Sequence, residues 1–450
     1  MKSKAFTNTL KELEYYTTRS IMIKGYDLER IKGFLEHLGN PQERLEFIHI
    51  GGTSGKGSTT TYTSSILTGL GYKVGSFLSP HIESVCERIN IDNKQISEDN
   101  FNTYFNKVKT AHDQFFPKDK QGITLTYFEF LLAMALLYFV DNKVDVVALE
   151  VGLGGKLDPT NVVQASIAII TSVGLDHTEF LGETIEEIIS DKVQIVKQNA
   201  TCITGVKQAS ALKIIKSYCM DQSANCLILG KDMSINQNII DINGSKGFFS
   251  FKDYEFEVNL PQLGRHQLEN ASLAITAAIS WQEKMNRKVD IKAIINALSQ
   301  TIIKGRLQIV ENNPLIIGDV AHNEDKMKAL VDSINQIQGL KKLIFIVGFK
   351  AGRDKDRAHR ALKQLSVLKI PLKKIFISEF LTKQDIEIAS VPAQEIANMI
   401  LDVLPDVETE IVKEPLKALK LARKEANKDD LIVISGSFYL LASLSEALSL

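Results

Sequence analysis

The chain has 450 residues, of which 44% are hydrophobic and 7% aromatic, with 53 Lys and Arg against 54 Asp and Glu. At about 150 residues per domain this is an ordinary globular protein of two or three domains, and a disordered or fibrous chain is excluded. A formal net charge of -1 gives no global attraction to nucleic acid or an acidic membrane, so we expect neither as a partner. Any anion site must therefore be local.

Three features set expectations for location and for metal or disulfide structure. The longest apolar run, residues 130–140, is shorter than the roughly 20 residues that cross a bilayer, and it predicts a buried helix. The N-terminal residues lack an apolar signal core, which favours a cytoplasmic location. The cysteines form no CxxC pair, which favours reduced core thiols over a structural zinc site. They are Cys86, Cys202, Cys219 and Cys226.

The first predicted unit along the chain is a strand, a Gly-rich loop and a helix. The strand covers residues 45–50, and the helix covers residues 58–70 with Gly71 as its C-cap. The loop suits a nucleotide phosphate, because glycines let backbone N–H groups face the anion while Lys56 supplies charge. The alternative is a plain turn capped by Ser58, but the flanking strand and helix favour phosphate binding. The loop residues are Gly52, Thr53, Ser54, Gly55, Lys56, Gly57 and Ser58.

Polar side chains follow three further predicted strands. Ser79 ends the strand after the P-loop helix, and Glu150 ends the apolar strand at residues 144–150. His177 follows the next strand, residues 165–171. Because parallel strands share one carboxyl edge, where α/β proteins bind ligands, we expect Glu150 to hold Mg²⁺ and His177 to share a metal with it. The alternatives are a turn at Ser79, a backbone cap at Glu150 and a structural role for His177.

Lys192 lies in the apolar stripe of a predicted helix that begins at a Thr184 and Glu187 capping box and continues to Val196. Its amine either extends to solvent, the common outcome for a lysine, or stays inside. If it stays inside, desolvation lowers its pKa and leaves a neutral amine, which carbon dioxide can convert to a metal-binding carbamate.

The pattern changes after residue 225. Residues 226–260 alternate in short pieces around an Asn243-Gly244 turn, which predicts a small β insertion of antiparallel hairpins. Helices follow at residues 266–285 and 291–299.

The final third returns to alternating strands and helices, which predicts a smaller Rossmann-like α/β domain. Its predicted strands are residues 343–347, 374–378 and 431–435. We therefore predict a P-loop ATPase domain over residues 1–304 and a C-terminal domain over residues 305–450.

Several motifs resemble those of the folylpolyglutamate synthase and dihydrofolate synthase family, a branch of the Mur ligase superfamily. The family's GTNGKGS loop is similar to residues 52–58 with Ser54 for Asn, and its EVGLGGRLDATN segment is similar to residues 150–161. Its SPH, TYFE and DHTEFLG segments stand at residues 79–81, 126–129 and 176–182. The resemblance covers nearly the whole chain and implies a Mur-ligase-like fold, with a parallel-sheet ATPase domain before the smaller C-terminal one.

Weaker matches extend the resemblance to further site residues. The family's REKAGI, LGRHQxxNA, GR, DGAHNP and ADKD segments are similar to residues 190–195, 263–271, 305–306, 319–324 and, loosely, 352–356. The resemblance implies that Lys192 is carbamylated. It also implies that Asn270, Arg306 and Asp319 contact ATP and that His322 belongs to an interdomain site.

The resemblance implies an ATP-dependent ligase. ATP would phosphorylate the carboxylate of dihydropteroate or a tetrahydrofolate polyglutamate, and the amine of L-glutamate would displace phosphate to form an amide. One Mg²⁺ ion would lie at Ser79 and Glu150, and a second at Glu150, His177 and carbamylated Lys192. A monovalent cation such as K⁺ is a further candidate cofactor. Catalytic roles would fall to Lys56, Lys192, Asp319 and His322.

Both segments expected near a dihydropteroate pocket are present, so we expect a bifunctional enzyme that acts on ATP, glutamate and both dihydropteroate and reduced folates. As a separate expectation, the enzyme is a monomer. Their residues are Thr126, Tyr127, Phe128, Glu129, Leu157, Asp158 and Pro159. The alternatives are a P-loop phosphotransferase or NTPase, another Mur-type amino-acid ligase, and a catalytically silent relative that only binds nucleotide or folate.

Overall fold

The computed structural model describes residues 3–20, 27–116, 124–352, 356–382 and 388–448. The ADKD-like segment at residues 352–356 lies largely outside these ranges. The chain forms two compact units. The first comprises Met1–Ile235, Phe249–Phe256 and Glu269–Leu298, and the second comprises Asn236–Phe248, Glu257–Leu268 and Ser299–Leu450.

Helices and strands alternate through most of the described chain. The α-helices are α1 Lys4–Ser20, α2 Glu29–His37, α3 Lys56–Gly69, α4 Glu98–Phe115, α5 Tyr127–Asp141, α6 Thr178–Leu181, α7 Ile185–Lys192, α8 Ala209–Asp221, α9 Arg265–Lys284, α10 Ile291–Gln300, α11 Glu324–Ile334, α12 Arg357–Lys363, α13 Ala393–Val403, α14 Pro415–Glu425, α15 Phe438–Ala442 and α16 Ser445–Leu448. The strands are β1 Phe47–Gly51, β2 Val74–Phe77, β3 Ile89–Ile91, β4 Lys94–Gln95, β5 Val146–Glu150, β6 Ile167–Ile170, β7 Thr201–Thr204, β8 Asn225–Ile228, β9 Met233–Asp241, β10 Gly244–Phe251, β11 Tyr254–Leu260, β12 Gln308–Asn312, β13 Leu315–Gly318, β14 Leu343–Val347, β15 Leu372–Ile377, β16 Leu381–Thr382, β17 Ile388–Ala389, β18 Glu408–Ile411 and β19 Leu431–Ser435.

The first unit is built on a sheet with the strand order β4-β3-β2-β5-β1-β6-β7-β8. From β2 to β8 all neighbouring strands are parallel, and β3 and β4 add an antiparallel edge. Strands β1, β5 and β6 are buried along their whole length, because helices cover both faces of a parallel sheet. In the register, Ile50 pairs with Glu150 and Gly51 pairs with Ile170, so the three strands end at one edge.

The predicted buried helix at residues 130–140 is confirmed as α5, whose side chains fill the core between the sheet and the N-terminal helices. Helix α5 begins one turn earlier than the apolar run, because Thr126 and Glu129 form a capping box at its N-terminus. None of the described helices combines the length and the hydrophobicity that a membrane-spanning segment requires.

The predicted β insertion is present, but it begins at Met233 and not at residue 226. Strand β8, which contains Cys226, pairs in parallel with β7 and belongs to the main sheet. The separate three-stranded sheet begins at Met233, has the order β11-β10-β9, and turns near Gly244, whose φ of 134° suits glycine. Four residues of strand β8 are too few for periodicity to distinguish a parallel strand from a hairpin strand.

The second unit contains the predicted smaller α/β domain. Its sheet has the order β12-β13-β19-β14-β15-β18. Strands β13, β19, β14, β15 and β18 are parallel, and β12 pairs with β13 in the antiparallel sense. Apolar side chains of β14, β15 and β19 pack under α11, α12 and α13 to form its core.

A buried ion pair joins two helices of the first unit. Arg30 of α2 donates from Nε and Nη2 to both carboxylate oxygens of Glu129, at 2.9 to 3.2 Å. The two side chains are only 9% and 1% exposed. Glu129 also accepts the backbone N–H of Thr126 at 2.6 Å, so its carboxylate fixes both the start of α5 and the position of α2.

We expect Arg30→Met to destabilise the first unit by about 3 kcal/mol or more, because it leaves the Glu129 carboxylate buried without its cation. Urea unfolding followed by the fluorescence of Trp281, which is buried in the same unit, measures the change. Lys32→Met is the matched control, because the Lys32–Glu29 pair is 52% and 80% exposed and should contribute about 0–1 kcal/mol. Equal losses in the two variants would contradict the prediction.

Candidate active site

The loop after β1 is anchored to the loop that follows β6. The backbone N–H of Thr53 donates to the Ser172 carbonyl at 2.9 Å, and the N–H of Ser54 donates to the Ser172 hydroxyl at 3.0 Å. In return the Thr171 hydroxyl donates to the Ser54 carbonyl at 2.6 Å. A Cβ on Gly52, where φ is 138°, would lie 2.0 Å from the Thr171 hydroxyl oxygen. Only glycine therefore fits position 52 without moving both loops.

The second half of the loop places Lys56 and Asn270 beside the N-terminus of α3. Gly55 has a left-handed φ of 87°, and Lys56 begins the helix directly after it. The Lys56 ammonium donates to the Gly52 carbonyl at 3.0 Å, so its charge lies over the loop. A Cβ on Gly55 would lie 2.4 Å from the Asn270 amide oxygen, which shows that Asn270 of α9 packs against the loop. This geometry is typical of a phosphate-binding helix N-terminus.

Glu150 and Ser79 meet beside the same helix N-terminus. Glu150 is 4% exposed, and its Oε2 accepts the backbone N–H of Ser79 at 2.8 Å. Its other oxygen, Oε1, lies 3.5 Å from the position that a Cβ on Gly57 would take. The structure thus brings together the strand ends predicted to hold a metal and the loop predicted to bind phosphate.

Lys192 ends α7 with its side chain held inside, at 4% exposure, and not extended to solvent. Burial, reinforced by the positive charge of Lys56, lowers the pKa of Lys192 to about 7. The carboxylates of Asp191, Asp176 and Asp158 act in the opposite direction. A large share of the Lys192 amine is therefore neutral and nucleophilic near neutral pH.

His177 lies in the loop that leaves the same edge of the sheet. It has a left-handed φ of 53°, which is uncommon outside glycine, and it is the N-cap of the short helix α6. Its neighbour Asp176 is close enough to Lys192 to act on the pKa of that amine. The loop after β6 and the end of α7 therefore approach each other.

The two predicted substrate segments converge through one aromatic side chain. The Cζ of Phe128 lies 2.8 Å, and Oδ2 of Asp158 lies 3.1 Å, from the point that a Cβ on Gly152 would occupy. Leu157 is 40% exposed, whereas Pro159 is buried at the start of a short 3-10 helix. The Phe128 ring and the 152–158 loop thus share one wall.

The other residues of the TYFE segment have structural partners. Thr126 caps α5, and Glu129 pairs with Arg30 as described above. The guanidinium of the buried Arg88 lies 5.2 Å from the centre of the Tyr127 ring. Arg88 also donates from Nε to Nδ1 of His81 at 2.9 Å, which links the TYFE segment to the SPH segment.

A buried hydrogen-bonded chain behind the Asp158 loop was missed from the sequence. The Thr160 hydroxyl donates to Oδ1 of Asp158, and Nε2 of His49 lies 2.8 Å from the same hydroxyl oxygen. Since the hydroxyl has one hydrogen, Nε2 of His49 is the donor in the second bond. Burial, with a smaller effect of Lys197, lowers the pKa of His49 to about 3, so the ring is neutral. The one feature of the sequence that points to this hydrogen-bonded chain is a histidine inside an otherwise apolar strand.

In the second unit, Asp319 is held at the end of β13. Its carboxylate accepts the backbone N–H of Leu307 at 2.8 Å and that of Ala321 at 2.7 Å. Burial raises the pKa of Asp319, while the nearby charge of Arg306 acts to lower it. Two of the residues expected to contact ATP, Arg306 and Asp319, are therefore neighbours in this unit, whereas Asn270 belongs to the first.

His322 follows Asp319 in the same loop. Its Nδ1 donates to the Val320 carbonyl at 2.8 Å, and its Nε2 accepts from the Lys326 ammonium at 3.2 Å. Because Lys326 offers only hydrogens, this arrangement describes a neutral ring with the proton on Nδ1. Lys326 also contributes positive charge near Asp319.

Comparison with known protein families matches both halves of the chain. A model of the Mur ligase middle domain matches residues 50–278, and a model of the Mur ligase glutamate ligase domain matches residues 305–438. A dihydrofolate synthase/folylpolyglutamate synthase from Bacillus subtilis (strain 168) is 31% identical, with 94% of each chain covered. The chain belongs to the folylpolyglutamate synthase and dihydrofolate synthase family. It is therefore an ATP-dependent ligase.

Further relatives and solved structures support the same family assignment. The dihydrofolate synthetase of Saccharomyces cerevisiae is 30% identical, with 93% of this chain and 96% of the yeast protein covered. The crystal structure of folylpolyglutamate synthase from Thermotoga maritima is 28% identical with a TM-score of 0.81, covering 99% and 97% of the two chains. A Mycobacterium tuberculosis folylpolyglutamate synthase complexed with ADP and AMPPCP shares the fold, with a TM-score of 0.89 at 22% identity and 99% coverage of both chains. The predicted fold class and the resemblance are confirmed.

We expect Gly52→Ala to weaken ADP binding at least about tenfold, because its Cβ would force the Thr171 and Ser172 loop away from the P-loop. Isothermal titration calorimetry measures the affinity, and circular dichroism checks that the variant is folded. Gly39→Ala is the matched control, because Gly39 also has a positive φ, 77°, but a Cβ there meets nothing within 4 Å. Unchanged ADP affinity in folded Gly52→Ala would show that the loop does not bind the nucleotide.

Proposed function

We propose that this chain joins L-glutamate to the carboxylate of a folate-type substrate, which ATP first converts to an acyl phosphate. The observation that supports this most strongly is the convergence of the P-loop, the buried Glu150 carboxylate and the buried Lys192 amine at one sheet edge of a family member. The relatives named dihydrofolate synthase/folylpolyglutamate synthase include the Bacillus subtilis protein and one from Escherichia coli (strain K12), 31% identical over 73% of this chain.

The nucleotide-binding roles follow from charge and position. Lys56 and the backbone N–H groups at the start of α3 would bind the β and γ phosphates, and Asn270 lies against the same loop. We assign Arg306 and Asp319 of the second unit to ATP as well, and we assign to His322 a catalytic role in the same reaction. The neutral His322 ring, with Nε2 as an acceptor, suits hydrogen bonding or proton transfer and not charge stabilisation.

The donor set at the P-loop fits Mg²⁺. Glu150 offers a buried carboxylate of which only Oε2 receives the Ser79 N–H, while Oε1 faces the start of α3. Oxygen donors of this kind are those that Mg²⁺ prefers. We propose Ser79 and Glu150 for one ion, and Glu150, His177 and a carbamylated Lys192 for a second. When bound, these ions would supply charge neutralisation of the phosphates. We propose K⁺ as a monovalent cofactor.

For the pterin end of the substrate, we propose the wall formed by Phe128 and the 152–158 loop. Phe128 offers an aromatic edge, Leu157 is exposed beside it, and the buried Asp158 carboxylate is held rigidly by three hydrogen bonds. A flat heteroaromatic ring with N–H donors matches an aromatic surface next to a carboxylate. We therefore propose that dihydropteroate and reduced folates are both accepted.

One assay tests the proposal. Purified protein receives Mg²⁺, ATP and L-glutamate with either dihydropteroate or tetrahydrofolate, and both ADP release and amide formation are measured. We expect ADP release only when glutamate and a pterin substrate are both present. ADP release without glutamate would instead support the phosphotransferase or NTPase alternative. Nucleotide binding without any turnover would support a catalytically silent relative, and turnover with one pterin substrate only would overturn bifunctionality.

We expect Glu150→Gln to lower kcat by about a hundredfold or more, because it removes a negative charge from the group proposed to hold Mg²⁺ between the phosphates. The isosteric amide still accepts the Ser79 N–H, so the fold should be retained. Steady-state ligation at saturating Mg²⁺ measures the effect. Glu255→Gln, at an exposed position in β11, is the control. Near-normal turnover of the Glu150 variant would contradict the metal assignment.

We expect Lys192→Ala to lose most ligase activity and to recover part of it in acetate, because acetate can occupy the space of the proposed carbamate. Lys192→Arg should stay inactive in acetate, since a guanidinium keeps its positive charge and fills the space. An unmodified ammonium would repel the metal ion and the neighbouring Lys56, so full activity of Lys192→Arg would contradict carbamylation. The intact mass of the native protein under carbon dioxide gives an independent measurement.

A further inference from the structure

Three of the four cysteines meet at the β7–β8 side of the main sheet, whereas the P-loop follows the central strand β1. Cys202 lies in β7 and Cys226 is its partner in the parallel register on β8. Because directly paired residues of parallel strands project from the same face, both thiols point toward one layer of helices. Cys219 of α8 completes the group, and the three sulfur atoms lie within 4.8 Å of one another. We call these residues the cysteine triad.

The triad is enclosed by apolar side chains except at Cys226, which is partly exposed. The neighbouring cluster between this face of the sheet and α7 and α8 consists mainly of Ile, Val and Ala side chains. Cys202 and Cys219 are 0% and 1% exposed, whereas Cys226 is half-buried on the edge strand of the sheet. The triad therefore has apolar walls and one side that solvent or an ion can reach.

We propose that Cys202, Cys219 and Cys226 form a three-thiolate site for a thiophilic closed-shell metal ion of the Zn²⁺ or Cu⁺ type. Three sulfur atoms bound to zinc at about 2.3 Å stand about 3.8 to 4.0 Å apart, so small rotations of the side chains close the observed spacing. Water can supply a fourth ligand at the exposed side of Cys226. The soft sulfur donors exclude Mg²⁺, which separates this site from the ATP site.

Charge near the triad supports metal binding. The ammonium groups of Lys216 and Lys231 are close enough to act electrostatically on the Cys226 thiol. On binding, the three thiols release their protons to solvent, and three thiolates with Zn²⁺ carry one net negative charge. Lys216 and Lys231 lie on the exposed side and offset that charge.

The site would be structural, which departs from the expectation of plain core thiols because strand pairing joins cysteines that are distant in sequence. It joins β7, α8 and the edge strand β8, and β8 is otherwise held to the main sheet on one side only. A metal ion there would fasten the last strand of the sheet before the chain enters the three-stranded insertion at Met233. This inference is independent of the proposed substrate, because none of its residues lies in the ligand-binding segments.

The test is metal titration of the reduced, full-length protein against a chromophoric chelator. We expect one equivalent of Zn²⁺ to bind per chain, and Cd²⁺ to give an ultraviolet thiolate-to-metal charge-transfer band. Both Cys202→Ala and Cys226→Ser should lower the Zn²⁺ affinity by about a hundredfold or more. Cys226→Ser is the safer variant, since its position is half-buried. Cys86→Ala is the matched control, because Cys86 is buried in the same unit and lies outside the triad.

Thermal unfolding gives a second readout, since an ion that binds only the folded state raises the midpoint. Zn²⁺ should raise it in the parent and in Cys86→Ala, and not in Cys226→Ser. Absence of stoichiometric Zn²⁺ or Cu⁺ binding by the folded parent would overturn the proposal. Equal Zn²⁺ affinity of Cys226→Ser and Cys86→Ala would do the same, as would a spontaneous disulfide between two triad residues in the isolated protein.

Discussion

The site depends on one topological constraint: β1 lies between β5 and β6 in a parallel sheet, so the three strands end side by side. Strands buried on both faces carry mainly apolar side chains, with His49 of β1 as an exception, so polar groups reach a ligand chiefly where the backbone leaves the sheet. Glu150 is the last residue of β5, the P-loop follows β1 directly, and His177 lies farther along the loop after β6. The loop after β6 then fixes the P-loop through Thr171 and Ser172, so the same strand order that gathers the side chains also makes the phosphate cradle rigid.

The charges gathered at this edge are costly to bury, and the proposed ligands would offset that cost. Two lysine side chains, Lys56 and Lys192, are close enough for each positive charge to disfavour the other, and Lys192 is buried. A neutral Lys192 amine removes that repulsion, and a carbamate would turn it into attraction. Glu150 is buried as well, and its Oε2 accepts the backbone N–H of Ser79. Bound nucleotide, cations and a carbamate would balance these charges together, which is why each proposed role depends on the others.

The parts of the site predicted from the sequence are those set by local chain order. A Gly-rich loop between a strand and a helix, an acid at the end of an apolar strand, and a lysine in an apolar helical stripe are visible in short windows, and the structure places all three at one edge. Contacts between distant segments were not predictable in this way. The Arg30–Glu129 pair, the His49–Thr160 hydrogen bond and the meeting of Cys202 with Cys226 each depend on which strands and helices become neighbours. The sequence assigns β8 to the β insertion for the same reason, because four residues do not indicate that their neighbouring strand is β7.

The geometry also refines what the TYFE segment can do for a substrate. Both carboxylate oxygens of Glu129 accept hydrogen bonds from Arg30, and one of them also accepts the Thr126 N–H, so a ligand would have to break a buried ion pair to use that group. Tyr127 is buried beneath the Arg88 guanidinium. The Phe128 ring lies against Gly152 of the neighbouring loop. In the proposed substrate site this segment would offer the Phe128 ring, while Thr126 and Glu129 set where α5 begins and so where that ring is held.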